Sequence, residues 1–140
     1  MNEIVQLLTQ NEFLVLAWRA VVWACAVYLF VLGAITFIRP SLANRFLGGF
    51  ASSRLMNSVE AVLRLIVGLA FMATSPAMKL SVVFFWSGAI LALTAIAIMF
   101  LYDLHRSFRP SVLPLLERFL PVYGALSIAL GAVIAWALNP

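Results

Sequence analysis

Four stretches of the chain stay apolar long enough to be helices in lipid, at about 15–38, 57–75, 80–102 and 117–138, and the segments between them hold most of the charge. Crossing about 30 Å of hydrocarbon takes roughly 20 mostly apolar residues at a rise of about 1.5 Å each. The first stretch, VLAWRAVVWACAVYLFVLGAITFI, stops at Arg39-Pro40, and the third, LSVVFFWSGAILALTAIAIMFLY, stops at Asp103. The fourth, RFLPVYGALSIALGAVIAWAL, runs up to Asn139-Pro140. The pattern predicts an all-α polytopic membrane protein, a single domain over residues 1–140 with four transmembrane helices in a compact up-down bundle. Trp18, Trp23, Tyr102, Tyr123 and Trp136 fall near the predicted membrane interfaces, where amphipathic rings settle. Ahead of the first span, Ile4, Leu7 and Leu8 recur at helical spacing, which fits either a short interfacial helix or a frayed end. MNEIVQLLTQNEF lacks the basic start of a secretory signal, and no such signal is expected.

Composition agrees: of 140 residues, 65% are hydrophobic and 10% charged, with a mean hydropathy of +1.10. The placement of basic residues then orients the spans. Arg39, Arg45 and Arg54 lie between spans one and two, and Arg106 and Arg109 between three and four with Arg118 just beyond, against only Lys79 and Arg19 on the opposite side. Positive residues accumulate on the cytoplasmic side, so a bacterial inner-membrane location with both termini periplasmic is expected. Arg39, Arg45, Arg54, Arg106 and Arg109 become candidate contacts for anionic lipid headgroups, with ordinary solvated loops as the alternative. Residues 20–38 alone are long enough to span, which leaves Arg19 free to reach the outer headgroups. The formal charge of +4 is spread between apolar segments, without the aromatic-interleaved basic surface of a nucleic-acid binder.

Span two breaks the apolar rule. NSVEAVLRLIVGLAF places Asn57, Glu60, Arg64 and Gly68 on one helical stripe, and too few residues separate Arg64 from Pro76 for the span to begin after the charges. With Asn57 at the boundary, Glu60 lies about 5 Å and Arg64 about 10 Å inside. On insertion scales a central Arg costs about 2.5–3.5 kcal/mol, and each large aliphatic returns roughly 0.3–0.6. The helix therefore inserts marginally by itself. Acid-first i, i+4 pairing relieves part of that cost, and further partners for the guanidinium are expected from another helix, a lipid phosphate or a ligand. Two readings stand: a buried pair that fixes helix register, or a ligand or partner site at Asn57, Glu60, Arg64 and Gly68.

Small residues form packing faces, at Gly88, Ala92 and Ala95 in span three and at Gly124, Ser127, Gly131 and Ala135 in span four. They suit close helix contact within one chain or between copies. Arg39-Pro40-Ser41 is echoed by Arg109-Pro110-Ser111 half a chain later, a partial sign of parallel duplication. EAVLRLIVGLAFMATSP followed by GAILALTAIAIMFLYDLHRSF resembles the DoxX-like four-helix membrane proteins of bacteria, through the Arg64 to Gly68 spacing, the short turn at Ser75-Pro76 and the overall layout. The resemblance implies an inner-membrane bundle, sometimes linked to respiratory or redox partners.

The parts of common catalytic sites are missing: there is no Gly-rich phosphate loop, no HExxH and no Cys-pair motif, and there is one histidine and one cysteine, Cys25. The chain is read as a non-enzyme with no cofactor and no metal. The leading expectation is an accessory or scaffold subunit of a membrane complex, in contact with membrane lipids and either a membrane-protein partner or further copies of itself. The alternatives are a homo-oligomeric transporter or channel lined by the polar stripe, and a lipid- or quinone-binding protein using Glu60 and Arg64.

Overall fold

The computed structural model describes the backbone of residues 2–49 and 53–139, with the side chains of 2, 105, 106, 108–110, 112, 113 and 116 set aside. The described residues fold into α1 (Asn2–Leu8), α2 (Glu12–Ile38), α3 (Pro40–Gly49), α4 (Arg54–Thr74), α5 (Ser81–Phe100), α6 (Tyr102–Arg118) and α7 (Leu120–Leu138). A 3-10 turn at Ser75–Ala77 prolongs α4. Four helical segments are long and apolar enough to cross a membrane: Glu12–Ile38, Arg54–Ala77, Ser81–Phe100 and Leu120–Leu138.

Local chemistry sets the ends. The Asn11 side chain accepts the Leu14 N–H at 2.8 Å and starts α2, and Ser53 Oγ accepts the Met56 N–H at 3.2 Å and starts α4; both satisfy amides that a first helical turn leaves open. Pro40, with no N–H to continue α2, becomes the first residue of α3. At 27 residues, α2 extends about 40 Å, longer than the hydrocarbon core, so its first turns can project beyond it.

Both Arg-bearing connections are helices rather than loops. The third span therefore ends at Phe100, and Tyr102 opens α6, because Leu101 leaves helical geometry at φ −107°, ψ 39°. The Arg39-Pro40-Ser41 triplet sits at the α2–α3 junction, whereas residues 109–111 fall inside α6, so the two halves do not use the repeated triplet at equivalent places.

Packing rests on glycines. A methyl group at Gly68 would stand 2.7 Å from the Gly88 carbonyl, and one at Gly33 would stand 2.7 Å from the Gly124 carbonyl. These are the close approaches of α4 with α5 and of α2 with α7. Gly131 likewise brings α7 to within 3.0 Å of the Ala26 carbonyl, measured from an added Cβ. Contact at Gly33–Gly124 and at Ala26–Gly131 means that residue numbers rise along α2 as they fall along α7. A cluster of Val22, Ala26, Ala70, Phe71, Met78, Phe84, Ile134, Ala137 and Leu138 joins all four long helices at the end bearing the 3-10 turn. There the Lys79 N–H donates to the Ala137 carbonyl at 3.0 Å. Small residues occupy these seams, which lets the helix backbones approach closely. The outer surface is apolar: Trp86, Leu93 and Phe100 are 61, 66 and 83% exposed. Water would penalise so continuous a surface.

Candidate functional site

The polar stripe of α4 is divided between two neighbours. Asn57, 2% exposed, donates its Nδ2 hydrogen to the Ile98 carbonyl at 3.0 Å. Ile98 lies in the last turn of α5, where carbonyls have no intrahelical amide to accept, so a side chain of α4 caps α5. The buried Asn57 Oδ1 has no hydrogen-bond partner among the described residues. Gly68 meets the same neighbour, since an added Cβ would fall 2.9 Å from the Ala92 nitrogen. Asn57 and Gly68 are thus taken up by the α4–α5 seam.

Glu60 and Arg64 pair with each other, within electrostatic reach of tyrosines on α2 and α7. Arg64 Nη2 donates to Glu60 Oε1 at 2.6 Å, with the side chains 38 and 10% exposed respectively. Tyr28 of α2 lies within electrostatic reach of Glu60 and of Tyr123. Tyr123 of α7 lies within reach of Arg64, and the Ser127 hydroxyl is a hydrogen-bond neighbour of its phenol. The Phe46 ring of α3 leans on Tyr28 at 6.3 Å between centroids, tilted by 56°. Charged and phenolic groups on three long helices thus lie within electrostatic reach of one another. The arrangement can neutralise an internal charge and donate hydrogen bonds; it holds no evident nucleophile–base pair.

Tyr28 was not among the sequence-derived candidates, and Tyr123 was assigned to a membrane interface. The available signal was adjacency: Tyr123 precedes Gly124, whose added Cβ would collide with Thr36 Oγ1 of α2, so α7 is pressed close to α2 beside this tyrosine.

Among the proposed headgroup contacts, Arg39, Arg45 and Arg54 are exposed. The Arg54 guanidinium lies 5.4 Å from the centroid of the Tyr102 ring, tying the start of α4 to the start of α6. Arg106 and Arg109 lie outside the described side chains. At the opposite end Lys79 Nζ stands 4.9 Å from the Trp136 ring centroid. Trp18 Nε1 donates to the Leu8 carbonyl at 2.8 Å, folding α1 back on α2. Among the described residues no group of three or more His, Cys, Asp or Glu side chains is placed to hold a metal ion. No family model, curated protein or solved structure matches the chain.

Proposed function

We propose that this protein is a non-catalytic accessory or scaffold subunit of the bacterial inner membrane. Its four apolar helices cross the bilayer up and down, both termini face the periplasm, and α3 and α6 lie along the cytoplasmic surface. The DoxX-like resemblance of the α4–α5 region belongs to the same reading. One observation carries the preference for a scaffold over a transporter: Asn57 and Gly68 are used up in the contact with α5. A path between several copies would need the whole stripe of Asn57, Glu60, Arg64 and Gly68 on an outward face, and half of it is covered by the chain's own helix. The apolar perimeter and the basic helices at one end remain as the surfaces offered to a partner and to lipid.

The test is affinity purification of the full chain in a mild detergent, with cross-linking and mass measurement of the intact assembly. A membrane protein recovered at fixed stoichiometry is the expected result. A ring of identical copies that conducts solute or ions in liposomes would replace this reading with transport, and a monomer carrying only bulk lipid would remove the scaffold role.

A further inference from the structure

Hydrocarbon supplies no hydrogen-bond acceptor, so a guanidinium on a spanning helix must find its acceptors in protein or in lipid headgroups. Arg64 has five N–H donors, and among the described residues it is hydrogen-bonded to Glu60 alone, through Nη2 at 2.6 Å. With Arg64 38% and Glu60 10% exposed, the acid is enclosed while the base faces out of the bundle. Side chains lean toward the helix N-terminus, and the bond to Glu60 draws the guanidinium one turn that way. Glu60 stands six residues after Arg54, the first residue of α4, which puts the guanidinium about 9 Å below the surface end of the helix. Tyr28, 43% exposed, and Tyr123 lie within electrostatic reach of the pair.

Charge favours one kind of ligand. Arg39, Arg45, Arg54, Arg106, Arg109 and Arg118 with Asp103 and Glu117 leave +4 at this end, while Glu3, Glu12, Arg19 and Lys79 cancel at the other and Glu60 cancels Arg64 between them. The whole formal charge of +4 therefore sits where the guanidinium points. Such a surface concentrates anionic lipid near the headgroups.

Building on the membrane-spanning reading above, we propose that one anionic phospholipid of the cytoplasmic leaflet seats its phosphate on the free edge of Arg64. The guanidinium fork matches phosphate geometry. Glu60 holds the fork in place from behind, and the arginines of α3 and of the start of α4 attract the headgroup without fixing its position.

The test uses the full chain purified in mild detergent, titrated separately with phosphatidylglycerol, phosphatidylcholine and inorganic phosphate, and read by native mass spectrometry. One phosphatidylglycerol should remain bound after the other two are lost. Arg64→Lys keeps the charge and can still pair with Glu60 but lacks the planar fork, and it should weaken that binding roughly tenfold or more. Arg45→Gln should weaken it at most about fivefold, its share of the general attraction. Equal retention of phosphatidylcholine, or unchanged binding in Arg64→Lys with circular dichroism intact, overturns the lipid site. Inorganic phosphate bound as tightly as phosphatidylglycerol reassigns it to a soluble anion and also overturns it. Failure of the protein to float with phosphatidylglycerol vesicles would strike instead at the spanning reading beneath it.

Discussion

Removing the two charges one at a time and then together should give three different costs. Arg64→Gln leaves Glu60, 8% exposed, without the cation that stood 2.6 Å away. Stripping one partner from a buried pair costs about 3–5 kcal/mol. Glu60→Gln is milder, because the arginine left behind is already 38% exposed and can swing to the headgroups; about 1–2 kcal/mol is expected once screening is counted. The double substitution E60Q/R64Q removes both charges and leaves two amides able to bond to each other at i, i+4. Replacing a buried ion pair by neutral groups is commonly close to neutral, so its cost should stay within about 1 kcal/mol. The cycle then yields a coupling of about 3 kcal/mol or more. Unfolding in mixed micelles of rising sodium dodecyl sulfate, followed through the four tryptophans, measures all four species. Equal costs for the single variants that simply add in the double would refute the enclosed acid and the outward-facing base together.

Three further outcomes follow from the same packing. Gly68→Ala should destabilise by about 1–3 kcal/mol, because its Cβ would face the Gly88 carbonyl and the Ala92 backbone at 2.7 and 2.9 Å, while Gly49→Ala, with nothing within 4 Å, should be neutral or gain up to about 1 kcal/mol; the same micelle titration separates them. Leu80 is a non-glycine residue in left-handed geometry, φ 59° and ψ 41°, so Leu80→Gly should stabilise by about 0.5–1 kcal/mol, strain relief less the added freedom of the unfolded chain, and a lower unfolding midpoint would contradict this. With Cys25, the only cysteine, changed to Ala, an impermeant maleimide should label a cysteine at Ser41 from the cytoplasmic side and one at Ala77 from the periplasmic side; labelling of both from one side would undo the proposed topology.

The long helices were legible because each is an uninterrupted apolar run, and length with hydropathy is enough to identify such a run. The connecting helices were not. Pro110 and Pro114 read as loop signals, yet both lie within α6, and α3 begins at a proline that also reads as a stop. A proline marks where one helix cannot continue, and the same residue is well suited to the first turn of the next. Sequence punctuation therefore located the break after Ile38 and missed that the chain resumes as helix two residues later.

The site was legible on one helix and hidden across three. At about 100° per residue, Arg64 and Gly68 fall about 20° to either side of Asn57 around α4 and Glu60 about 60° from it, so from sequence they form a single face. Which neighbour covers each part of that face depends on glycine contacts elsewhere: Gly68 against Gly88 draws α5 onto one flank, and Gly33 against Gly124 binds α7 to α2, the pair whose Tyr28 and Tyr123 stand near the charges. No periodicity within α4 encodes those partners. The division has a functional consequence, because a residue that caps a neighbouring helix, as Asn57 does, is held by the fold, whereas Arg64 is left with donors to spare. Substitution at Asn57 should then act through stability alone, whereas substitution at Arg64 should change binding as well as stability, although sequence alone places both on the same stripe.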